Sequence, residues 1–217
     1  MRFWPQVIRT ATTFTIVLAF AIAEAPAQDV RSVGDCSIRP GTLCASKNLR
    51  GADLSGANLR HSQFTRSVLA GANLSGANLD ESNLAGADLR GADFRSASLV
   101  RANARGARFD DSNLSGAVLS NAVLDNASLA GADLTQANLS GGNLANARLE
   151  KARFVNADLQ NANIRGGRLK GASFVDAKVQ GANFTGADLT DADFTGASID
   201  HAVFSRARTT GCKGCPH

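Results

Sequence analysis

The apolar positions of this chain recur every five residues. From Leu54 to Phe204 each fifth residue is Leu, Phe, Ile or Val, with the single exception of Ala104. Leu49 extends the series back by one step. The residue two before each of these centres is Ala, Ser or Gly. The other three positions hold mostly Asn, Asp, Ser, Thr, Gly, Gln or charged side chains. Neither regular secondary structure accommodates this spacing. On a helix, residues five apart are turned by about 140°, so the centres would spiral over every face. On a straight strand an odd step sends alternate centres to opposite faces. One shared interior requires the chain to turn once per repeat. Small-x-apolar is then a short extended segment with both ends pointing inward. The following pair, often Ser-Gly or Arg-Gly, suits a tight turn because Gly tolerates unusual dihedrals. Strand-plus-turn units that bury their centres only against neighbours make a solenoid.

Tandem units such as GADLSGANL (51–59), GANLSGANL (71–79) and GANFTGADLTDADF (181–194) resemble the pentapeptide-repeat family. The resemblance runs from about residue 45 to 208. It implies an all-β fold, a right-handed quadrilateral β-helix (β-solenoid) with four repeats per coil and about eight coils. At roughly 4.8 Å per coil the rod would be about 38 Å long. Positions 20 apart then stack, which places Phe154, Phe174 and Phe194 in one aromatic ladder. Ala104 is the one small centre. It is expected to be a defect filled by Leu84 and Leu124, or else a bend or small pocket.

The flanks read differently. Residues 1–27 have the three parts of an export signal: basic Arg2 and Arg9, an apolar run from Ala11 to Ala23, and the small-residue site Ala25-Pro26-Ala27. The run falls short of the roughly 20 residues a membrane span needs. Residues 28–48 are expected to form an amino-terminal cap, 49–208 the solenoid and 209–217 a carboxy-terminal cap or tail. An exported chain meets an oxidising space, in the bacterial periplasm or outside the cell, where cysteines form disulfides. The ends of the rod are too far apart for a bridge, which needs Cα atoms within roughly 7 Å. Cys36 is therefore expected to pair with Cys44, and Cys212 with Cys215, linking each end to itself. Cys44 is in phase with the centres. The CKGC stretch also has redox or zinc spacing, but it lacks a helix start and a full ligand set.

Charge adds little. The formal net charge is +4, which does not point to nucleic acid. Stacking by 20 aligns Arg108, Arg148 and Arg168, with Lys151, Arg153, Arg165 and Lys170 nearby in sequence, as a candidate interaction face. A second row holds Asn83, Asn103, Asn143, Asn163 and Asn183, expected to hydrogen-bond between coils. No nucleophile-base pair, phosphate loop, cofactor motif or metal motif is readable, and His61 and His201 stand apart. The reading is a non-catalytic exported scaffold or protein-interaction module for a protein or envelope partner, without a cofactor. The resemblance also raises a DNA-mimicking, gyrase-binding role, which would call for a strongly negative rod in the cytoplasm. An enzyme with an unrecognised surface site is the third alternative.

Overall fold

The computed structural model describes residues 32–216. The expected leader, residues 28–31 and His217 lie outside the described residues. Parallel bridges join residues 20 apart, from Leu43 with Gln63 to Asp193 with Lys213. The chain thus turns four times per coil. The bridged residues form four outward rows, here walls one to four, that pass through Asp53, Asn58, Gln63 and Val68. Eight coils follow from Ala52, each beginning 20 residues after the last.

Every pentapeptide settles its backbone in the same way, as the unit centred on Leu74 shows. The Leu74 N–H donates to Asp93 O in the next coil at 2.7 Å, and the Asn73 N–H to Ala52 O in the previous coil at 2.9 Å. The Gly76 N–H donates to Arg95 O at 2.8 Å. The Ala77 N–H closes the turn on Leu74 O at 3.0 Å. That leaves one donor, the Ser75 N–H, and the Asn73 side-chain Oδ1 accepts it at 3.1 Å. An Asx turn therefore completes the set, because an unpaired backbone donor is costly. This explains why Asn or Asp so often precedes the centre.

Gly76 has φ of +63° while Ser75 stays outside the left-handed region, which makes the turn type II. The same left-handed residue recurs at every fifth position from Ser46 to Gly211. Many of these residues are not glycine; Arg66 and Lys151 are held at +55° and +60°. The coil-to-coil bonds on either side hold them there, against a cost of roughly 1–2 kcal/mol for an L-residue.

The interior is filled by side chains. Centres from Leu49 to Phe194 are buried, and so are nearly all the small residues two before them. Phe154, Phe174 and Phe194 stack at 4.7 and 4.4 Å between ring centroids. Phe184 and Phe204 stack at 5.1 Å on the opposite wall. The two ladders interlock edge to face, as in Phe174 against Phe184 at 5.7 Å. In the third coil Ala104 is buried between Phe94 and Phe109, whose rings meet at 5.5 Å. Two large centres in the same coil thus offset the small one. The compensation runs around the coil, and the expected filling by Leu84 and Leu124 from the coils above and below is not needed. The Ala104 backbone keeps the regular bonds, with its N–H on Val123 O at 2.7 Å, so the rod does not bend here.

The ends differ. At the amino end an antiparallel pair, Ser32–Val33 with Cys36–Ser37, folds over the first turn. Cys36 is paired with Cys44, with Cα atoms 5.5 Å apart, and both are buried. The Thr42 hydroxyl donates to Ser37 O and ties the hairpin down. At the carboxy end Cys212 is paired with Cys215, with Cα atoms 5.8 Å apart, and both remain partly exposed. Gly214 stands in phase with the centres and lies against the Phe194 backbone, where a Cβ would meet Phe194 O at 2.8 Å. This clamp continues only wall one. Ile199 and Phe204, on the next two walls, stay half-buried. The expectation of a matching cap at both ends is corrected here: a three-residue cysteine spacing is too short to cross the end of the rod.

Candidate interaction surface

The interior holds no cavity for chemistry, so any functional group must project from a wall or corner. The bridged side chains point outward on the walls, and the two turn residues after each centre form the corners. Arg108, Arg148 and Arg168 do share wall four, where Arg148 bridges directly to Arg168. They are not free cations. Arg108 lies 3.8 Å from Asp110, and Glu150 lies 3.9 Å from Arg148 and 2.9 Å from Arg168. A single corner carboxylate thus serves two guanidinium groups. Towards its ends the same wall carries Asp88 with Arg90 at 2.6 Å and Asp188 with Arg208 at 3.1 Å. The Arg90 hydrogen bond holds the Asp88 carboxyl below its ordinary value. The Thr190 hydroxyl does the same for Asp188, aided by the charges of Arg208 and Lys170. Wall four is a row of alternating, mostly paired charges, and exposed pairs of this kind contribute little to stability.

The other four candidates surround that wall. Lys151 and Lys170 sit on the corner that leads from wall four to wall one, and Arg153 lies on wall one. Arg165 sits on the opposite corner, between walls three and four. None of these four has an ion pair among the described residues. The free positive charge therefore flanks the row that the stacking rule singles out. Corner residues fold back onto the wall beside them, and sequence position alone does not show this.

The asparagine row on wall three behaves differently from the ladder expected. Only Asn163 reaches another member directly, donating to Asn143 Oδ1 at 3.0 Å. The side-chain oxygens of Asn83, Asn103, Asn143, Asn163 and Asn183 accept the N–H two residues on, as in the turn described above. Their role is local and structural. At the corner beside this row, a groove of about 400 Å3 runs past Asn146, Asn163, Arg165, Gly166, Thr185 and Arg206. His61 pairs with Glu81 at 3.5 Å, far along the rod from His201. Among the described residues no three of His, Cys, Asp and Glu gather as a metal site, and no helix is long and apolar enough to cross a membrane.

A family model for pentapeptide repeats matches the chain in eight copies, over residues 48–84, 72–111, 105–141, 143–174 and 172–208. The chain is a pentapeptide-repeat protein. The comparison with curated proteins gives no match. Among solved structures, this pentapeptide-repeat protein is similar to full-length QnrB1, a plasmid-mediated fluoroquinolone resistance protein. The identity is 19%, the match covers 79% of this chain and 90% of QnrB1, and the TM-score is 0.63. A trypsin-treated variant of QnrB1 gives 19% identity over 76% of this chain and 90% of that one, with a TM-score of 0.64. HetL, a pentapeptide repeat protein involved in heterocyst differentiation regulation from the cyanobacterium Nostoc sp. strain PCC 7120, is 28% identical. That match covers 79% of this chain and 92% of HetL, at a TM-score of 0.46. At these levels QnrB1 supports the shared solenoid alone, the right-handed β-helix of the family.

Proposed function

We propose that this pentapeptide-repeat protein is an exported, non-catalytic interaction scaffold that binds a protein or envelope partner through the positive surface around wall four. The observation that carries the reading is the unpaired set Lys151, Arg153, Arg165 and Lys170, held on rigid backbone around a charge-neutralised wall. Rigid, pre-set side chains lose little freedom on binding, which favours such a surface as a docking site. Residues 1–27 support export to the periplasm or beyond, where the Cys36–Cys44 and Cys212–Cys215 pairs would persist as disulfides. A DNA-mimicking role would need acidic rows facing outward. Wall four instead intersperses Asp88 and Asp188 with Arg108, Arg148, Arg168 and Arg208.

Crosslinking of the exported chain in its own compartment, followed by identification of the captured partners, tests the proposal. Reversal of Lys151, Arg153, Arg165 and Lys170 to Glu should abolish the capture. Capture that survives the reversal would reject this surface. Inhibition of gyrase by the processed chain would revive the alternative.

A further inference from the structure

The groove beside wall three has a chemistry that the broad positive surface lacks. Its floor follows the corner residues Ala145 and Asn146, then Arg165 and Gly166, then Thr185 and Gly186, and it ends at Arg206. These corners belong to four successive coils, so the groove is about 14 Å long at the usual strand spacing, room for roughly four residues of extended chain. Ala145, Gly166 and Gly186 open it by leaving the floor without bulk. Arg165 and Arg206 stand two coils apart, about 10 Å along the axis. Neither guanidinium has a side-chain hydrogen bond or an ion pair among the described residues. The Thr185 hydroxyl and the Asn146 amide lie between them, also without partners among the described residues.

The lining narrows the class of ligand. Two guanidinium groups select carboxylate or phosphate. Every described Phe is a centre of the interior or of the last coil, and the chain has no Tyr, so the groove offers no ring on which a sugar or base could stack. The lining also lacks a large aliphatic side chain, which leaves nothing for a lipid tail. The carbonyls of Asn146, Gly166 and Gly186 accept no backbone hydrogen bond, so the floor offers acceptors between its cationic ends. A chain that supplies both N–H donors and carboxylates fits that combination; a polyphosphate supplies no donors.

We infer that this groove binds an extended acidic polypeptide segment, with Arg165 and Arg206 each taking a carboxylate. The inference rests on the scaffold reading above and gives its partner a chemistry. The test uses the full exported chain, labelled with 15N and titrated with a blocked penta-aspartate peptide. Amide signals of Gly166, Thr185 and Gly186 should shift, and penta-asparagine should leave them in place. Arg165→Ala and Arg206→Ala should each weaken binding about tenfold, the effect of one charged hydrogen bond. Arg60→Ala, an exposed arginine on a distant corner, should not. All three substitutions are on the surface, and unchanged melting curves would show that the fold is intact. Three results would overturn the groove: no shift with penta-aspartate, equal binding of inorganic pyrophosphate at the same signals, or affinity lost in Lys151→Ala and Lys170→Ala but kept in Arg165→Ala and Arg206→Ala. The last would leave the broad positive surface standing.

Discussion

The two ends of the rod are built from the same ingredients and reach different results. Each has a cysteine pair next to the first or last repeat. At the amino end, eight residues separate Cys36 from Cys44, enough for a hairpin to fold back and bury both sulfurs. At the carboxy end, three residues separate Cys212 from Cys215, and the clamp reaches one wall of four. Phe204 and Ile199 keep one side towards solvent, and Val203 is 44% exposed. Leu43 is the counterpart at the other end, 79% exposed, but it points outward from a wall and leaves the interior covered. A crosslink is therefore not a cap. What closes a solenoid is the segment that the crosslink holds in place.

The largest test of this contrast lies in the aromatic ladders. Phe174→Ala, fully buried in the seventh coil, should cost about 3–5 kcal/mol in chemical denaturation. Phe204→Ala, in the open last coil, should cost less than half of that; equal losses would show that the end is closed. Next is the cysteine comparison. Loss of the Cys36–Cys44 pair by double Ser substitution should cost about 2–3 kcal/mol, and loss of Cys212–Cys215 under about 2, by loop length alone. The buried pair should widen the gap, because Ser at Cys44 leaves a polar group in the core. A third test moves to the closed half. Ala104→Leu should destabilise by about 1–3 kcal/mol, since Phe94 and Phe109 already fill the third coil. A second substitution, Phe109→Leu, should recover part of the loss. If Ala104→Leu stabilises instead, the third coil is underfilled.

Smaller effects should be alike at both ends, because the backbone plan is the same. Asn78→Ala and Asn183→Ala each remove the acceptor for one turn N–H and should cost roughly 0.5–1.5 kcal/mol. The pH dependence should be slightest. Hydrogen bonds from Arg90 and Arg95 hold Asp88 and Asp93 below the ordinary value, and Thr190 and Thr195 do the same for Asp188 and Asp193. A carboxyl lowered by folding adds stability above its unfolded value, near 4, and loses it as pH falls through the lower folded value. Thermal melts should therefore be flat from neutrality to about pH 5 and fall below about pH 4. Asp93→Asn and Asp193→Asn should each flatten that acid limb.

The inward half of the molecule was legible because its rule is geometric. Centres such as Leu54 and Leu74 must share an interior, and no other path of the chain allows it. The role of Asn73 was not legible. Its outward position marks it as available to a partner, and only the count of backbone donors shows that it is already engaged with Ser75. The candidate site was legible in register and misread in charge. Stacking by 20 correctly aligned Arg148 with Arg168, yet Glu150, on the adjacent corner, reaches both. Arg206 escaped notice because it lies outside the basic run, and its place beside Arg165 depends on the stacking of corners two coils apart. The open carboxy end was missed for a related reason. Distance decides which cysteines can pair, but coverage depends on the length of chain between them.

Residue-resolved hydrogen exchange on the monomeric chain tests the stacked-coil account most directly. The amides of Leu139 and Leu144 donate at 2.7 Å to the next coil and should be among the slowest to exchange. Those of Ile199 and Phe204 have no coil below them and no backbone acceptor, and they should exchange fastest among the centres. Protection should rise inward from that end and stay high up to Leu54 beneath the hairpin. Equal protection at Phe204 and Leu144 would contradict the account.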